Sequence, residues 1–196
     1  MTINSQSSSI PLPAVALAAV PGRRTATLEL GREIEARGFA GIYCASFGDA
    51  MGLSQGLAQV TNEITIGTSI ANLYMRHVSD YAQTAAMIHE ISNGRFRFGI
   101  GVSHGAMHRR AGIEAGQPLS DMREFIANLR KVSRIGDLPP IVVAGLRTKM
   151  VSLASELAEG VVFANASRSH FPTSISVLTE EQRNGDDFFI GNMIPT

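Results

Sequence analysis

The 196-residue chain has one cysteine, no tryptophan and no surplus of charge, with 17 basic side chains balanced by 17 acidic ones. A lone Cys44 cannot form an internal disulfide, which points to a reducing compartment and predicts a cytoplasmic protein. The lysines and arginines are scattered, so the basic footprint of a nucleic-acid binder is missing. No apolar run approaches the ~18 residues of a membrane helix. The run Pro13–Val20 (PAVALAAV) lacks the positively charged leader of an export signal. The chain also lacks a His pair spaced around an acid on a helix, which excludes a common zinc-hydrolase design. Lysine is scarce too: Lys131 and Lys149 both lie in helix-like stretches, which argues against a Schiff-base aldolase.

What is present is glycine, 19 residues of it, and a 44% apolar share that suits an ordinary core. Residues 1–13 are polar, Ser-rich and closed by prolines, and read as a disordered leader to one domain over 14–196. Beyond it, short apolar runs alternate with stretches of helical period. The runs are Val15–Val20, Ala40–Ala45, Ile64–Ile70, Phe96–Val102, Ile141–Ala144, Val161–Ala164 and Phe188–Ile194. Continuous runs of Ile, Val and Phe suit strands of a parallel sheet buried on both faces.

Between them, Leu30 and Ile34 precede a stop at Gly38, and Tyr81, Ala85, Ile88 and Ile91 form one face behind a Ser79 cap, ending at Asn93-Gly94. Met122, Phe125, Ile126 and Leu129 repeat after Pro118, and Met150, Ala154 and Leu157 follow Thr148. This is a βα repeat of the α/β class. Its length falls short of the ~250 residues of a (β/α)₈ TIM barrel. The expectation is an incomplete barrel of about seven strands, with the last βα unit missing.

In such barrels function gathers at the carboxyl ends of the strands. The segments there are Ser46–Asp49, Asn72–His77, Ser103–Arg110, Gly145–Thr148 and Asn165–His170, and they hold every histidine except His89. Gly99-Ile100-Gly101 superficially suggests a dinucleotide loop. The third glycine, Gly105, comes one residue late, no helix is expected to open there, and no acidic residue lies on a strand end about twenty residues on, as the ribose contact would require. Those glycines instead admit a planar ligand or a second backbone. Gly145-Leu146-Arg147-Thr148 enters a helix and is either a phosphate-binding turn or a plain glycine turn with a Thr cap. Asp49 is either a catalytic acid or a helix cap, Cys44 reads as core, and Tyr74 and Met75 read as cavity wall. With no nucleophile in view, the chemistry falls to a bound cofactor.

Three segments carry a resemblance: Glu35–Ile42, Ile64–Val102 and Pro140–Val162. Their most specific parts are the third-strand run and the Ser92-Asn93-Gly94-Arg95 turn into Phe98–Gly101. Together they resemble the luciferase-like monooxygenase family, in order and with its spacing, over roughly residues 14 to 194. Two departures are Val78 where the family often has proline, and Glu159-Gly160 where it commonly has Asp-Gly.

The resemblance implies a barrel that binds reduced FMN or the related deazaflavin (coenzyme F-420) and oxygenates or reduces a small organic substrate. It places a non-prolyl cis bulge at Ser69-Ile70 behind the ring, with Asn72 and Arg76 nearby. Gly101 and Ser103 would meet the cofactor from the fourth strand, and Gly145, Leu146 and Arg147 would hold its tail and phosphate. His77 and His104 are the candidate proton donors or orienting groups. The expected partner is a small molecule, with pairing into a homodimer. The competing expectation is a truncated, non-catalytic barrel paralogue or partner subunit.

Overall fold

The structure, a computed structural model, describes residues 12–194. Of the expected leader, residues 1–11 lie outside the described residues. Leu12 makes a parallel bridge with Phe39.

The chain alternates strand and helix almost throughout. The first half contains β1 (Val15–Leu17), α1 (Arg24–Ala36), β2 (Gly41–Ala45), α2 (Ala50–Val60), β3 (Thr65–Ser69), the short β4 (Ala71–Asn72), α3 (Val78–Ile91) and β5 (Phe96–Gly101). The second half contains α4 (Gly105–Ala111), α5 (Pro118–Leu129), β6 (Ile141–Ala144), α6 (Thr148–Leu157), β7 (Gly160–Ala164), α7 (Phe171–Ile175), α8 (Glu180–Asn184) and β8 (Phe189–Met193). All strand pairs are parallel, in the order β1-β2-β3-β5-β6-β7-β8, with β4 added beside β5. Sequential order is that of a barrel wall and not of a doubly wound sheet, whose order reverses at a switch point. Among the described residues β1 and β8 are the edges, so the wall is an incomplete TIM-barrel type.

Strand alternation sorts the side chains onto two faces. Ile42, Ile66, Phe96, Phe98, Ile100 and Phe163 are fully buried in the core they share with the helices. Tyr81 of α3 packs on Phe98 and meets Phe125 of α5 edge-on. The opposite face curls around an interior in which distant strands touch. Tyr43 of β2 stacks on Phe189 of β8 at 5.9 Å, and the Arg97 guanidinium lies 4.5 Å from that ring. Burial raises the Tyr43 phenol, and Arg97 partly offsets it.

Local signals account for several boundaries. Gly38 follows α1 at φ +77°, and Asn93-Gly94 closes α3 at +52° and +81°. Three expectations are corrected. The cap of α3 is His77, whose Nδ1 accepts from the Ser79 N–H at 3.3 Å, and not Ser79 itself. Thr148 is the first residue of α6 and Arg147 is its cap. A helix does open after β5, as α4, so His104 and His108 are not in a plain loop. It escaped notice because it buries no residue and shows no apolar period.

At the amino ends of the strands, the Arg95 guanidinium donates to the carbonyls of Ala58, Thr61, Ile64 and Ser92. The Glu35 carboxylate accepts from the backbone N–H groups of Asn62, Glu63 and Ile64. Burial pushes the Glu35 carboxyl upward, but these bonds and Arg95 outweigh it and hold the group below its ordinary range.

Candidate active site

The site is organised by a bulge in the third strand. Gly67 pairs with Arg97, but Ala71 pairs with Ile100, so Thr68, Ser69 and Ile70 face only Phe98 and Gly99. The extra residue breaks the ladder between β3 and β4, and the Ser69–Ile70 peptide there is cis. The Thr68 hydroxyl donates to the Gly99 carbonyl at 2.6 Å. A Cβ on Gly99 would stand 1.8 Å from the Thr68 carbonyl oxygen, and one on Gly101 would stand 3.1 Å from the Ile70 side chain. The two glycines of β5 therefore admit the bulged backbone and its side chain rather than a ligand.

The bulge forms one wall of a cavity of about 560 Å³ at the carboxyl ends of the strands. Ser69, Ile70, Ser103, His104, Gly145, Leu146 and Arg147 all line it, from three separate loops or strand ends. Ser103 has φ +59°, a left-handed turn that takes the chain from β5 into α4 and brings His104 to the rim. Arg147 caps α6 without a side-chain acceptor for the first-turn N–H groups. Those donors, the helix dipole and the exposed Arg147 cation suit an anion.

Asn72 and Arg76 line a second cleft, of about 820 Å³, that shares Ser46, Phe47, Ile70, Ser103 and Met107 with the first. Asn72 accepts from the Tyr74 N–H, and its carbonyl accepts from the Tyr81 hydroxyl at 2.7 Å. Its Nδ2 is buried with no partner. Burial pushes the Tyr81 phenol up to about 12. Arg76 is held by Asp49 at 2.7 Å and Asp80 at 3.3 Å. Asp49 also caps α2 by accepting from the Gly52 N–H at 3.0 Å, so the capping alternative describes it.

Two expected site residues stand apart from both cavities. His77 caps α3, and Gly101 lies beneath Ile70. Of the other loop histidines, His108 bonds the Val102 carbonyl at 2.6 Å and His170 caps α7. Met193, which sequence reasoning passed over, accepts a hydrogen bond from the Ser69 hydroxyl at 2.7 Å across the interior. Only the curl of the sheet brings Met193 to Ser69, and no local pattern marks it.

A family model described as luciferase-like monooxygenase matches residues 8–188. The chain belongs to the luciferase-like monooxygenase family. A 5,10-methylenetetrahydromethanopterin reductase from Methanolobus tindarius is 34% identical over 142 residues, covering 62% of this chain and 44% of that relative. The chain thus spans less than half the length of the curated relatives it matches. Among solved structures, a coenzyme F420 dependent tetrahydromethanopterin reductase from Methanopyrus kandleri superposes with a TM-score of 0.76 at 18% identity. The superposition covers 94% of this chain and 65% of that one. The oxygenating constituent of a diketocamphane monooxygenase from Pseudomonas putida, in complex with FMN, gives a TM-score of 0.69 at 13% identity over 93% and 67%. These two likenesses establish the fold shared within the family.

Proposed function

We propose that this family member is an oxidoreductase that binds FMN or the deazaflavin coenzyme F-420 in the 560 Å³ cavity and acts on a small organic molecule beside it. One observation carries the reading: Ser69, His104 and Arg147, remote in sequence, converge on one rim. The cavity size falls within the usual ~300–1,000 Å³ of a ligand site.

The residues present fit such a group. The bulge at Ser69–Ile70 provides a wall for a planar ring, and the start of α6, where Arg147 makes no side-chain capping bond, provides N–H donors and a cation for its phosphate. When bound, the group supplies the electrons, delivered either as a hydride or to O₂. The chain's own part is to position and to exclude water. His104 offers an imidazole nitrogen at the rim that can hold or pass a proton. Leu146 and Phe47 supply apolar cover. His77 takes no part in this reading, because its Nδ1 is committed to the Ser79 N–H.

Absorbance titration of FMN and of the deazaflavin with the purified chain tests the proposal. A saturable change with either is expected. A flat trace with both at high micromolar protein would overturn it in favour of a non-catalytic barrel.

A further inference from the structure

We propose that α4 is a hinged cover over the 560 Å³ cavity and the 820 Å³ cleft, and that His108 latches it shut. His108 is then a positioning residue for His104 and Met107. The latch stands on geometry alone, and its bearing on chemistry rests on the reading that a redox group fills the smaller cavity.

The helix does not hold itself in place. It has seven residues, buries none of them, and falls well short of the ~12–15 that keep an isolated helix formed in water. Yet Met107 borders both cavities, Arg110 borders the larger, and the cap residue His104 stands at the ring-site rim. A segment so short and so placed depends on what grips it from outside.

The grip is a chain of three side chains. A carbonyl only accepts, so the His108 Nε2–H donates to the Val102 carbonyl, at 2.6 Å. It is the one side-chain hydrogen bond from α4 among the described residues. The same ring meets the Tyr74 ring edge-on, with centroids 5.4 Å apart and planes at 88°. Tyr74 is itself pinned, its N–H donating to Asn72 Oδ1 at 3.1 Å and its hydroxyl to Asp121 Oδ2 at 2.6 Å. Asp121 lies in the first turn of α5, and a Cβ on Gly116 would stand 2.8 Å from its Oδ2. One carboxylate of α5 therefore fixes both the platform for His108 and the chain returning from α4.

The hinges lie on either side. Ser103 before α4 has φ +59° and Gly112 after it has φ +64°, with open space around Gly112. Between them, residues 104–106 and 109–111 are exposed. Releasing His108 from Val102 frees α4 to swing about these two points and to carry His104 and Met107 off the cavities. Covers of this kind admit ligand when open and exclude water when closed.

Hydrogen–deuterium exchange of the purified chain, read by mass spectrometry, tests the proposal. Peptides within 103–113 report α4, and peptides from β5 and β6 report the sheet. His108→Phe keeps a ring against Tyr74 but has no N–H for Val102. It should raise α4 exchange about tenfold or more, with the sheet peptides and the thermal midpoint unchanged. His108→Gln carries an N–H the same number of bonds from its backbone and should recover most of the lost protection. Arg109→Ala, at an exposed position of α4, should change exchange by less than about twofold. Unchanged α4 exchange in His108→Phe overturns the proposal. So does a rise shared equally by the sheet, or a Gln variant no better protected than the Phe variant. Should His108→Phe fail to fold, Tyr74→Phe decides: losing only the bond to Asp121, it should raise α4 exchange about threefold, and no rise overturns the latch. With FMN bound, iodide should quench the flavin about threefold more in His108→Phe than in the parent, and equal quenching overturns the cover. The exchange arm needs no cofactor. A chain blind to both cofactors whose α4 exchange responds as expected overturns the ring-site reading alone. Cofactor binding with α4 exchange indifferent to His108 overturns only this inference.

Discussion

The Thr68 carbonyl oxygen sits directly over Gly99, and a methyl group added to Gly99 would stand 1.8 Å from it. That contact holds the bulge against β5, and the bulge in turn is a wall of both cavities. A substitution at Gly99 therefore affects stability and the site together.

Gly99→Ala should cost about 3 kcal/mol or more, because the neighbour that must yield is backbone in the middle of a sheet. Gly105→Ala, at the start of α4, meets only the end of the Arg109 side chain at 3.5 Å and should change stability by less than about 0.5 kcal/mol. Urea midpoints compare the two. Equal, small losses would remove the steric account of Gly99.

Arg147→Ala should weaken FMN by about tenfold and riboflavin by less than about twofold, because only FMN carries the phosphate that a charge-assisted bond would hold. Fluorescence titration of both flavins against both proteins reads the difference. A parallel loss for the two ligands would move the phosphate elsewhere.

Glu35 makes stability depend on pH in the acid range. Its folded pKa is depressed below the ordinary ~4.3 of an unfolded glutamate. The stabilisation is therefore complete above the unfolded value and is lost as pH falls through the folded one. Glu35→Gln should destabilise most near neutral pH, and the gap from the parent should narrow as the pH is lowered past ~4. Denaturant midpoints across that range check the sign; a gap that widens toward acid contradicts it.

The chain's three tyrosines, Tyr43, Tyr74 and Tyr81, all have raised pKa values. Burial is the leading cause in each, and for Tyr74 the hydrogen bond from its hydroxyl to Asp121 at 2.6 Å adds to it. Spectrophotometric titration should show no tyrosinate near the ordinary ~10 while the protein stays folded. The neutral phenol is the favoured folded form, so stability should decline as pH rises past that value. One tyrosine ionising normally in the native state would contradict the packing of its ring.

Much of the architecture was legible along the chain, because strands buried on both faces leave unbroken apolar runs and their flanking glycines stop helices. Phe96–Gly101 and Ile141–Ala144 fall within the runs that announce them, and Gly38 takes the left-handed turn its position suggests. The α4 helix was not legible, because a helix that buries nothing prints no apolar period. His77 and Ser79 exchanged roles for a related reason: both lie at the start of α3, and only the backbone path decides which accepts and which donates.

The sequence by itself determined the βα order, the helix stops and the polar strand-end segments, since each is encoded in side chains a few residues apart. Tertiary structure alone decided that Gly99 and Gly101 serve a bulge, that Met193 reaches Ser69, and that His104 meets Arg147 at one rim while His77 does not. Those facts depend on how far the sheet curls and on one extra residue in its third strand. Curl and register are set by the packing of every strand against its neighbours, and no short stretch of sequence contains them.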